Sequence, residues 1–158
     1  MTKNKTKSTQ CQFEDSYIRE VRVNYLPTTT IKFRIKGPEC VARFVRSALL
    51  DNSREQFLAL YLDGANNVAS YSIVSVWAAN RATIHPREIF QRAILAGAIA
   101  ITIAHNHPSD NVEPSKEDIA ITNRLKDAGI LLGIALLDHV IVGDSAFASL
   151  REDIRCWP

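Results

Sequence analysis

Apolar positions along the chain change period several times, and each change marks an element. Tyr17 to Leu26 alternates, with Tyr17, Arg19, Val21, Val23 and Tyr25 on one side and Ile18, Glu20, Arg22 and Asn24 on the other. That period of two predicts a strand ending at Pro27, and Ile31–Ile35 a second short strand stopped by Gly37-Pro38. From Pro38 the spacing of Val41, Phe44, Val45, Ala48 and Leu49 turns helical, and Asp51-Asn52-Ser53 closes that helix. Phe57–Leu62 reads as a compact strand, residues 63–67 as a hairpin turn, and Val68–Trp77 as the returning strand. His85-Pro86-Arg87-Glu88 opens a second helix that runs to Ala96 and stops at Gly97. Ala98–Ala104 carries no charge and is rich in β-branched residues, the mark of a buried central strand. A third helix is expected from Ser115 to about Ala128, ended by Gly129, followed by strands over Leu131–Leu137 and Val140–Val142. The interleaving predicts an α/β or α+β fold with a single mixed β-sheet flanked by helices. Residues 1–12 are polar and lysine-rich and are expected to be disordered, leaving residues 13–158 as one domain.

Composition narrows the function classes. With 158 residues, 46% hydrophobic and 23% charged, the chain reads as an ordinary globule. The net charge of +2 owes much to Lys3, Lys5 and Lys7, so charge gives no support for a nucleic-acid partner. Cys11, Cys40 and Cys156 form no C-x-x-C pair, which argues against a disulfide framework or a thiolate zinc site and for a reduced, cytoplasmic protein. No apolar run is long enough to span a bilayer, and the lysine-rich start lacks the apolar stretch of a signal peptide.

The chemistry concentrates between residues 105 and 118. His105 and His107 end the buried strand, and alternate strand residues share a face, so both imidazoles project the same way. Neutral imidazole nitrogens are standard zinc ligands, and a metal gives two polar residues a reason to end an apolar strand. Pro108 turns the chain, and Asp118, in the first turn of the third helix, offers a third ligand if that turn folds back over the strand end. Three protein ligands leave the fourth tetrahedral position to water, the arrangement of catalytic zinc. Helix capping alone also accounts for Ser115-x-x-Asp118, because Ser is a favoured N-cap and an acid suits the first turn. His85 and His139, beside a helix start and a strand start, read as capping or hydrogen-bonding residues.

His105-x-His107, seven residues, Ser115, two residues, Asp118 matches the JAMM signature of the JAB/MPN metalloproteases. HPREIFQRAI, AHNHPSD, EPSKEDIAIT and LLGIALLDHVIVG resemble the RadC branch of that family, over roughly residues 40 to 148. The resemblance implies a cytidine-deaminase-like architecture and one zinc held by His105, His107 and Asp118. It further implies a glutamate general base at the strand after the first helix, where Glu55 stands, with Glu88 as the runner-up. Ser115 would then donate a hydrogen bond to the oxyanion. The implied activity is zinc-dependent hydrolysis of a peptide or isopeptide bond, with a zinc-stabilised non-catalytic module in DNA repair or DNA metabolism as the alternative. A hydrolase of another bond is a further rival; a phosphodiesterase with two metals would want more carboxylates. Two positions depart from the RadC pattern. Asp110 replaces the glycine of HPSG and is expected to bring a negative charge near the metal. Trp77-Ala78 stands where Gly-Thr is usual and is expected to alter the substrate-facing surface.

Overall fold

The computed structural model describes Asn24 and residues 32–49, 51–77 and 84–157. The expected tail over 1–12, the strand Tyr17–Leu26 apart from Asn24, and Ala78 of the Trp77-Ala78 departure lie outside the described residues. Among the described residues three helices and five strands follow in order: α1 Pro38–Ala48, β1 Glu55–Leu62, β2 Val68–Trp77, α2 Pro86–Leu95, β3 Ala100–Asn106, α3 Lys116–Leu132, β4 Ala135–Val142 and β5 Phe147–Ser149. The strands make one mixed sheet in the order β2-β1-β3-β4-β5. Only β3 and β4 run parallel, joined by α3 as the crossover.

Alternation along the strands splits the core into two layers. Leu58, Leu60 and Leu62 of β1 and Ala100 and Ala104 of β3 face α1, packing on Val41, Phe44 and Val45. Phe57, Ala59, Tyr61, Ile101 and Ile103 face the other way, against Ile89, Phe90, Ile121 and Leu125 of α2 and α3. The sheet is therefore sandwiched, and every residue of β3 is buried, as its uninterrupted apolar run predicts. Among the described residues no helix is long and apolar enough to cross a membrane.

Four elements differ from expectation. Within Ile31–Ile35, residues 32–35 form no strand; Arg34 makes one antiparallel bridge to Asn67, flanked by Ile35 N–H to Asn66 O and Val68 N–H to Phe33 O. The third helix runs past Gly129 to Leu132 and ends at Gly133, whose φ of 68° is the left-handed cap. Gly129 is buried in the last turn of this helix, where a Cβ would run into the Ile134 carbonyl. The two strands expected over Leu131–Leu137 and Val140–Val142 are one strand, β4, with a register shift near Leu137. Its polar pair, Asp138-His139, looks like an interruption, but Asp138 accepts the Ser149 hydroxyl at 2.8 Å and His139 is buried on the α3 side. The three-residue β5 pairs antiparallel with β4.

Candidate metal centre

On β3 the α3-facing positions run Ile101, Ile103, His105, so the alternation that buries two isoleucines also buries an imidazole. His105 is fully shielded and stacks on Phe57, its antiparallel partner, at a centroid distance of 5.9 Å. His107 lies just past the strand end, held by its N–H donating to Val142 O at 2.9 Å and by Nδ1 against the Asn111 carbonyl. A carbonyl only accepts, so Nδ1 carries the hydrogen and Nε2 turns toward His105. The two Nε2 atoms are 2.9 Å apart.

Asp118 sits in the first turn of α3, with Ser115 as N-cap in a complete capping box. Asp118 Oδ2 accepts from Ser115 N–H at 2.8 Å and from Ser115 Oγ–H at 2.6 Å, while Asp118 N–H donates back to Oγ at 3.1 Å. Oδ1 meets the cluster, 3.3 Å from His105 Nε2. Oδ2, the capping oxygen, also faces the cluster, 4.0 Å from His107 Nε2. The Ser115 hydroxyl hydrogen is engaged with Asp118.

Glu55 is the first residue of β1, on the Phe57 face, with Oε1 4.0 Å from His105 Nε2. Asn106, pointing to the opposite face, fixes that strand start. Its side chain accepts from Gln56 N–H at 2.7 Å and donates to Arg54 O at 2.9 Å, bracketing Glu55. Glu88 instead lies in the first turn of α2, and His85 caps that helix by accepting from Arg87 N–H.

Glu55, His105, His107 and Asp118 each offer one ligand atom, all within 4.8 Å of one another, and could hold a metal ion. A tetrahedral ion with bonds of about 2.0–2.1 Å sets neighbouring ligand atoms roughly 3.3 Å apart. Among His105, His107 and Asp118 the separations of 2.9 Å, 3.3 Å and, for the nearest atoms of His107 and Asp118, 4.0 Å bracket that value, so these residues could take up an ion. Asp110 is not in this group. Its φ of 59° takes up the glycine-like conformation, and its carboxylate accepts from Ser145 Oγ–H at 2.6 Å and Ser145 N–H at 3.1 Å. Those bonds hold the Asp110 carboxyl below its usual range. The expected charge is spent on clamping the 107–111 loop to the 143–146 loop, and Gly143 leaves the room for it.

Burial pushes the His105 pKa down to about 4, against a smaller opposing effect of Asp118, and pushes His139 well below its usual value. In the unfolded chain both rings take up protons near 6.5, whereas the folded rings stay neutral to lower pH. The stability from this difference is full above pH 6.5 and is lost as pH falls toward 4. Chelator-treated protein is expected to lose on the order of 3 kcal/mol between pH 7 and pH 5. Urea unfolding at the two pH values reads this directly; an unchanged midpoint overturns the burial of neutral rings.

The cluster opens into a cleft of about 690 Å³, walled by Ile84, Pro108, Ile121 and Arg124 besides Glu55, His107, Ser115 and Asp118. That size suits a ligand-binding site. Sequence reasoning missed Thr122 and His139, which continue inward from His105. The signal was there in part: a histidine inside the apolar run of Leu136-Leu137-Asp138-His139-Val140 needs a polar partner when buried.

The family described as RadC-like JAB domain matches residues 35–155. A UPF0758 protein of Staphylococcus carnosus is 41% identical over 128 residues, covering 81% of this chain and 57% of that protein. One from Halalkalibacterium halodurans is 44% identical over 121 residues, covering 77% and 52%. One from Methanosarcina mazei is 37% identical over 122 residues, covering 77% and 53%. The chain spans just over half the length of these relatives.

Proposed function

The chain belongs to the RadC-like JAB domain family, and on that premise we propose that it is a zinc-dependent hydrolase of peptide or isopeptide bonds. The observation that carries this reading is the convergence of two histidines and Asp118 on one side of Glu55, at the floor of an open cleft.

His105, His107 and Asp118 would hold the ion. When bound, zinc supplies Lewis acidity and pulls the pKa of a water toward about 7. Glu55, at the cleft edge, takes a proton from the attacking water and returns it to the leaving amine. Its Oε1 lies 4.0 Å from His105 Nε2, at the edge of the ligand cluster. Ser115 stands on the cleft wall. Its hydroxyl hydrogen rests on Asp118, so donating to an oxyanion requires it to rotate off the carboxylate while Ser115 N–H keeps the cap. The apolar walls at Ile84, Pro108 and Ile121 exclude water and seat the substrate chain.

A zinc-stabilised module in DNA metabolism leaves the open cleft without a use, and the near-neutral charge gives it no electrostatic footing. The proposal takes the reaction to be cytoplasmic, a reading supported by cysteines that form no C-x-x-C pair. Digestion of a peptide and isopeptide library with zinc-loaded protein beside His107→Ala tests the proposal. Cleavage products are expected from the wild type and not from the variant. Zinc-loaded wild type that cleaves nothing favours the non-catalytic module.

A further inference from the structure

Behind the cluster, on the side away from the cleft, a row of buried polar atoms continues from His105. His105 Nδ1 is 2.8 Å from His139 Nε2, and His139 Nδ1 is 2.7 Å from Thr122 Oγ1. Thr122 Oγ1–H in turn donates to the Asp118 backbone carbonyl at 2.6 Å. His105, His139 and Thr122 are at most 2% exposed. We propose that His139 and Thr122 are positioning residues that hold His105 in the tautomer and ring orientation whose Nε2 can ligate a cation. This rests on the metal reading of the cluster.

Hydrogen counting along the row gives the reason. A neutral imidazole has one ring hydrogen, so a His105 that ligates through Nε2 carries it on Nδ1. His139 Nε2 must then accept, which puts the His139 hydrogen on Nδ1. Thr122 Oγ1 must accept that hydrogen, and its own goes to the Asp118 carbonyl, which only accepts. Every polar atom from His105 Nδ1 to the Asp118 carbonyl is then satisfied, and none of the three side chains in the row carries a charge. The row also closes on itself, because Asp118 supplies both the carboxylate at the cluster and the carbonyl at the far end. The opposite polarity sends the Thr122 hydrogen to His139 and leaves a hydrogen on His105 Nε2, aimed at His107 Nε2, where it blocks ligation. The Asp118 carbonyl gives the Thr122 hydroxyl its alternative and so favours the ligating direction. Phe57 fixes the ring planes, stacked on His105 and edge-on to His139 at 5.6 Å. Metal-ligating histidines ordinarily donate their second N–H to such an outer partner; here that partner is an imidazole acceptor.

Zinc competition against a chromogenic chelator, run on wild type, His139→Gln, His139→Leu and Thr122→Val, tests this. Gln keeps an acceptor oxygen for His105 Nδ1–H and Leu does not, while both lose the ring. His139→Leu is expected to weaken zinc binding about 10- to 100-fold, and His139→Gln to recover most of that loss. Thr122→Val, which removes only the hydroxyl, is expected to fall between them. Long-range ¹H–¹⁵N spectra of the zinc-loaded wild type should show the hydrogen on Nδ1 of both His105 and His139. Equal zinc affinities for the Gln and Leu variants overturn the role of His139, as does a hydrogen on His105 Nε2. If His139→Leu does not fold, wild-type affinity in Thr122→Val overturns the row. Wild type that takes up no zinc overturns the metal reading itself.

Discussion

Glu55→Gln is expected to keep one zinc per chain while losing about 10²- to 10⁴-fold in turnover, the usual worth of a general base. Gln has the same shape and length, and position 55 is the partly exposed first residue of β1, so the backbone pairing with Trp77 and the Phe57 packing behind it stay in place. What changes is the charge and the proton affinity of the side chain. A carboxamide oxygen can accept a hydrogen bond from the attacking water but cannot carry its proton to the amine. Two measurements on the same sample separate the readings: zinc per chain by metal analysis, and hydrolysis of whichever peptide the library yields. Zinc kept and turnover lost is the signature of a base. If zinc affinity falls together with turnover, Glu55 is a fourth ligand, and the site is closed in the manner of a structural zinc. If turnover is unchanged, Glu55 has no part in the reaction. His107→Ala cannot make this distinction, because it removes the metal and the activity together.

The site was legible in proportion to how local it is. His105 and His107 are two residues apart at a strand end, and Asp118 is in the next helix turn, so strand period and capping chemistry point at all three. Glu55 approaches through the antiparallel register that sets Phe57 opposite His105, and His139 through the parallel register that sets it beside Ile103. Neither register can be read from one sequence, because pairing between strands far apart in the chain is set by the packed whole. Only the family resemblance pointed to Glu55, and nothing pointed to His139 as more than a hydrogen-bonding residue. Asp110 shows the converse. The charge it brings to the loop followed from the residue itself, but the Ser145 clamp that takes up that charge depends on a loop 35 residues away.

The same division runs through the fold. Helix α1, the β1–β2 hairpin and the buried β3 follow from periodicity and turn residues. The errors cluster where a tertiary contact overrides a local signal. Gly129 looks like a helix stop but answers to the close approach of the Ile134 backbone. Asp138-His139 looks like a break but holds Ser149 on one face and the row behind His105 on the other. Three-residue β5 is too short to leave a periodic trace.

Asp118→Asn is expected to weaken zinc binding by more than about 100-fold, beyond the 10- to 100-fold typical of an outer partner. The aspartate presents both oxygens: Oδ2 accepts the Ser115 N–H and O–H and lies 4.0 Å from His107 Nε2, and Oδ1 lies 3.3 Å from His105 Nε2. Asparagine has one oxygen and one NH₂. If its oxygen keeps the cap, the NH₂ faces His105 Nε2 and puts hydrogens where the cation belongs. If its oxygen turns to the cation, the NH₂ faces the Ser115 N–H, donor against donor, and the cap is lost at a cost of about 0.5–2 kcal/mol. Both arrangements also remove the one carboxylate buried beside the two imidazoles. Metal-free stability should change by no more than the cap, because the neutral side chain fills the same space. Ser115→Ala is the comparison: it removes the hydroxyl from the cap and leaves both carboxylate oxygens, so its zinc affinity should stay within about 10-fold of wild type. Chelator competition and urea unfolding on the two variants decide the matter. Wild-type zinc affinity in Asp118→Asn takes Asp118 out of the ligand set; an equal loss in Ser115→Ala shows that the cap, and not the carboxylate, builds the site.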